Sequence, residues 1–81
     1  LYAGRGEQDL AIHMYEQATK ALPFVPEYWS HLAQALEDVG QTERAVDAWK
    51  RVVELGEKYP SAGDGARVAR QHLDALGQRQ P

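Results

Sequence analysis

Three histidines, His13, His31 and His72, are the residues of this 81-residue chain best suited by type to proton transfer or metal binding. A histidine-based zinc site usually carries two of them within a few residues, so that one helix face presents both to the ion. Here the intervals are 18 and 41 residues, and all three read as surface histidines. Gly4-Arg5-Gly6 invites comparison with a phosphate loop. It is too short to wrap a phosphate, acidic Glu7 follows it, and it reads as a turn. No nucleophile elbow and no His-Glu-x-x-His run occurs. The signatures of acyl transfer, phosphoryl transfer and metal-assisted hydrolysis are therefore missing. The chain is read as non-enzymatic, with no cofactor and no metal.

Composition narrows the partners. Nine Lys or Arg stand against twelve Asp or Glu for a net charge of −3, without blocks of like charge. A nucleic-acid binder would normally carry a basic patch or stripe, so nucleic acid is excluded as the expected partner. Apolar runs are only a few residues long, against the ~20 needed to span a bilayer, and direct membrane insertion is not expected. There is no cysteine, which removes disulfides and thiolate zinc sites and is compatible with cytoplasm or periplasm alike.

The elements that must position these residues announce themselves as a repeat. A shift of 34 residues places Gly6 on Gly40, Asp9 on Glu43, Ala11 on Ala45, Ile12 on Val46, Tyr15 on Trp49, Ala18 on Val52 and Pro26 on Pro60. Tyr15 and Trp49 thus recur as packing positions, which favours core filling over ligand stacking. Between the glycines and prolines the spacing is helical. Trp29, Leu32, Ala33, Leu36 and Val39 form one apolar face from Tyr28 to Val39, with Pro26 suited to the first helical position and Gly40 to the residue past the last turn. A second helix is predicted over Thr42 to Lys58, with Thr42 as its cap, Ala45, Val46, Trp49, Val52, Val53 and Leu55 inward, and Pro60 as its stop. Residues 40 to 42 allow only an antiparallel hairpin between the two.

An earlier helix is predicted from Gln8 to Leu22 with Leu10, Ala11, Met14, Tyr15, Ala18 and Leu22 as its stripe. Residues 1 to 3 are expected to be the last turn of its partner helix. The chain opens at Leu1 rather than Met and is expected to begin within a repeat, so part of that stripe should lack a cover in this chain. After Pro60, Ser61 and Asp64 have capping-box spacing, and Ala66, Ala69, Leu73 and Leu76 form a narrow stripe ending at Gly77, opposite Arg67, Arg70 and Asp74. Residues 62 to 76 are read as a capping helix.

Trp29, Leu32, Ala33 and Leu36, followed by Gly40, Ala45 and Trp49, resemble the tetratricopeptide repeat signature, and Pro23 falls where that family favours a proline after its second helix. Ala33 and Leu36 stand where the family commonly has Gly or Tyr, and Glu57 replaces a proline. The resemblance implies an all-α fold of antiparallel hairpins stacked as a right-handed solenoid. It divides the chain into the second half of a repeat (1–25), a complete repeat (26–59) and a capping helix with tail (60–81).

Such proteins are scaffolds whose concave face, lined by the first helix of each repeat, accepts a segment of another protein. On the complete first helix this implies a partner surface of Glu27, Ser30, His31, Gln34, Glu37 and Asp38; the same pattern also suits a plain solvated helix face. Some members hold acidic chaperone tails with Lys and Asn. This chain has no Lys or Arg between Lys20 and Arg44, but has Glu27, Glu37, Asp38 and Glu43, so a basic or polar partner segment is expected. The competing expectations are a structural or oligomerisation subunit that contacts copies of itself, and a helper domain fused to an enzyme outside these residues.

Overall fold

A computed structural model describes residues 2–60 and 63–79, with side chains described for 6–60 and 63–77. It is all-helical: α1 Tyr2–Ala21, α2 Pro26–Asp38, α3 Thr42–Lys58 and α4 Gly63–Arg79. Each helix packs on the next in order, α1 on α2, α2 on α3 and α3 on α4, and α2 also touches α4. Among the described residues, no helix is long and apolar enough to cross a membrane.

The central hairpin follows from local chemistry. Pro26 opens α2 as its first residue, where its fixed φ suits the helix and its missing N–H costs nothing. The end of α2 is a Schellman turn. Gly40 takes φ +82°, its N–H reaches the Glu37 carbonyl at 3.0 Å, and the Gln41 N–H reaches the Leu36 carbonyl at 2.9 Å. Two carbonyls left open by the helix end are thereby satisfied, through a conformation that glycine adopts without steric cost. Thr42 is not the cap of α3; Gln41 occupies that position without a side-chain capping bond. The Gln41 amide is drawn off instead to accept a 2.7 Å bond from Arg44.

Between α2 and α3 the core is built from interlocked large and small side chains. Leu36 and Val52 are fully buried beside Ala33, Ala45, Ala48 and Trp49. The alanines let the helix axes approach, and the indole fills the space beside them. Ala48, absent from the predicted stripe, is as buried as Trp49, whereas Val46, Val53 and Leu55 are only half-buried.

At the two ends the structure departs from expectation. α1 is continuous from Tyr2, so Gly4-Arg5-Gly6 is helical rather than a turn, and residues 2 and 3 are its first turn rather than the end of another helix. A glycine in a helix costs roughly 1 kcal/mol relative to Ala, which continued hydrogen bonding offsets when no proline interrupts it. The buried face of α1 is also rotated from the predicted stripe. Ile12 and Thr19 are 6% and 4% exposed, while Leu10 and Met14 are 59% and 61% exposed. Thr19 meets its hydroxyl's demand inside the helix, donating to the Glu16 carbonyl at 3.0 Å. α4 runs past Gly77 to Arg79 rather than stopping there, again with no positive φ at that glycine. The predicted capping box involves Ser61, which lies outside the described residues.

Ala33→Leu or Ala45→Leu should overpack the hairpin and lower stability by roughly 1–3 kcal/mol. Thermal melts of the two variants check this, and an unchanged midpoint in both would show that close approach of α2 and α3 does not depend on these alanines.

Candidate functional site

The six residues predicted as a partner surface lie on α2, and the structure divides them. Glu27, His31, Gln34 and Asp38 are exposed and recur at helical spacing along one line. Gln34 donates to the Asp38 carboxylate at 3.2 Å, one turn away. His31 leans on α1, its ring 5.4 Å from that of Tyr15 and 18° from parallel. Ser30 is half-buried at the edge of this line.

Glu37 does not belong to that surface. Its side chain is 16% exposed, and its Oε2 accepts two hydrogen bonds, from the Trp49 indole N–H at 2.5 Å and from His72 Nδ1 at 2.7 Å in the tautomer protonated there. The Trp49 and His72 rings are stacked with centroids 4.3 Å apart. One carboxylate thus joins α2, α3 and α4. His72, read from the sequence as a surface residue, is in this cluster, whereas His13 is exposed on α1 and His31 stacks on Tyr15. Among the described residues, no group of three His, Asp or Glu side chains is placed to hold a metal ion.

On the other side of α2 the structure contains a feature with no counterpart in the sequence pattern. α1 and α3 stand apart there, and the gap between them is an open groove of about 430 Å³ with Trp29, Leu32 and Leu36 of α2 at its base. Trp29 is only half-buried, and its indole N–H is held by the Pro23 carbonyl at 2.8 Å. Glu16 of α1 forms an ion pair with Arg44 of α3 across the groove. The sequence offered no signal for it, because the charges that line it are scattered over two helices, and the Glu16–Arg44 pair between them joins positions 28 residues apart.

No family model matches the chain, and comparison with curated proteins and with solved structures finds no match. The tetratricopeptide resemblance therefore rests on residues and spacing alone.

The shared carboxylate makes a measurable claim on stability. Glu37→Ala should cost about 1–3 kcal/mol, because it leaves the buried Trp49 N–H without an acceptor. Urea denaturation checks this, and a variant as stable as the parent would show that the indole N–H finds water instead.

Proposed function

We propose that this chain is a protein-interaction module or assembly scaffold of the tetratricopeptide type, holding a basic or polar segment of a partner against the α2 face. What carries the proposal is the exposed line of Glu27, His31, Gln34 and Asp38, of which His31 rests on Tyr15 of α1 and the others offer two carboxylates and an amide to an incoming chain. The order of helix packing supports it as well, since each helix lying on the next is what a stack of hairpins requires. Glu37 is left out of the partner surface, as its carboxylate is occupied. Each exposed ion pair with a partner would contribute at most ~1 kcal/mol, so apolar contact and shape must supply most of the affinity.

Fluorescence polarisation with labelled peptides of graded net charge tests this. Basic peptides should bind more tightly than acidic ones, and Glu27→Lys with Asp38→Lys should weaken that binding about tenfold without altering circular dichroism. Lys50→Glu, an exposed change on α3, should leave it intact. Binding that survives the α2 reversal and fails with Lys50→Glu would place the partner elsewhere.

A second reading, self-association, is favoured by one specific observation. Leu10 and Met14 project from α1 with more than half of their surface exposed, and exposed apolar patches commonly mark interfaces. By the 34-residue correspondence Met14 matches Ala48, which is buried in the central hairpin. Sedimentation analysis of the 81-residue chain should show concentration-dependent association that Met14→Glu abolishes. A well-folded monomer at high concentration would remove this reading.

A further inference from the structure

The groove between α1 and α3 is chemically unlike the acidic line on the far side of α2. Its size falls within the range of ligand sites, and its two ends differ. At one end the Glu16–Arg44 pair crosses from α1 to α3, and Arg44 is further engaged by Gln41, so these charges are spent on each other. At the other end stands the Trp29 ring, fixed by its bond to Pro23, with the Arg51 guanidinium carbon 5.8 Å from the ring centroid. Lys20 lines the same groove from α1.

The charges available to a ligand follow from what is already paired. Arg51 has an exposed partner in Glu54 at 3.4 Å, an i,i+3 contact that contributes little in water and is readily exchanged. Lys20 makes no ion pair among the described residues. Two cations therefore face the groove beside an aromatic ring and an apolar base, with Asp47 as the remaining anion. A carboxylate is the complement of Lys20 and Arg51, a large apolar side chain is the complement of Trp29, Leu32 and Leu36, and Asp47 is an acceptor for a backbone N–H.

We propose that this groove binds a short peptide segment in which an acidic residue stands beside large apolar ones, the carboxylate between Lys20 and Arg51 and the apolar side chains over Trp29 and the α2 base. The site is separate from the α2 acidic line in position and opposite to it in charge preference. The chain would thus hold acidic-apolar and basic segments on two sides of one helix.

Titration of the ¹⁵N-labelled 81-residue chain with a capped octapeptide carrying a Glu-Leu-Phe core, followed by NMR, tests the site. The peptide should shift the Trp29 indole signal and the amides of Lys20, Ala48 and Arg51. Lys20→Glu and Arg51→Glu should each raise Kd about tenfold, or about 1.4 kcal/mol, while Glu27→Lys with Asp38→Lys leaves it unchanged. Peptides with Lys-Leu-Phe or Glu-Ser-Ser cores should bind at least tenfold more weakly. Absence of shifts at millimolar peptide, shifts confined to the α2 acidic line, or equal binding of the Lys-Leu-Phe peptide would each overturn the proposal. Should Arg51→Glu loosen the fold, Lys20→Glu alone decides, since that exposed side chain holds no ion-pair partner in the described residues.

Discussion

Burying an indole commits a protein to finding a partner for its N–H, and that requirement organises three of the four helices here. Trp49 is 2% exposed and shares the buried cluster with Ala33, Ala45 and Ala48, so its donor is largely cut off from solvent and needs an acceptor within the protein. The acceptor is the Glu37 carboxylate, which α2 can supply because position 37 sits one residue past Leu36 and so at the edge of the buried stripe. A carboxylate drawn into that position loses hydration and needs more than one donor in return. His72 provides the second bond and covers the indole face at the same time. α4 is therefore placed by chemistry as well as by its apolar stripe, whose buried members are mostly alanine and would pack on many surfaces equally well.

Small residues carry a second part of this logic. Ala66 and Ala69 are buried on α4, and a Cβ added at Gly65 would stand in van der Waals contact with a Val52 methyl, 3.8 Å away. A helix that approaches this closely gains dispersion contact but little directional preference. The bond from His72 to Glu37 supplies that preference, and Arg70 reaches toward Glu57 at 3.7 Å on the exposed side. Being half open to solvent, the latter pair adds little energy, so the angle of α4 depends chiefly on the less exposed His72–Glu37 contact.

The extent to which this was legible in the sequence varied with how local each determinant is. α2 and α3 could be bounded closely, because Pro26, Gly40 and Pro60 act within a few residues and their effects do not wait on tertiary contacts. The three-and-four spacing likewise gave Leu32, Ala33, Leu36, Ala45, Trp49 and Val52 as core. On α1 the same method failed by rotation. A helix with Leu10, Ile12, Met14 and Tyr15 has apolar residues on more than one side, and only the partner, α2, decides that Ile12 and Thr19 turn inward while Leu10 and Met14 do not. Glu37 and His72 were read as surface residues for a related reason. Their bond joins positions 35 residues apart, and no periodicity reports a polar contact between helices. The groove is further removed still, since it is defined by the distance between α1 and α3, which are not neighbours in sequence.

The two sides of α2 differ because one helix must serve both a core and a surface. Trp29, Leu32 and Leu36 fall on one side and Glu27, His31, Gln34 and Asp38 on the other, as a 3.6-residue period requires. α1 covers only part of the apolar side, since it packs on α2 with Tyr15 stacked on His31 and leaves the strip toward α3 open. Closing that strip with apolar contact would need large side chains where α1 and α3 carry Glu16, Lys20, Arg44, Asp47 and Arg51. Long charged side chains lie along such a strip with their stems on apolar surface and their heads in water. The result is a concavity with an apolar base and charged walls, and it exists because the residues that could have sealed the α1–α3 contact are ionic.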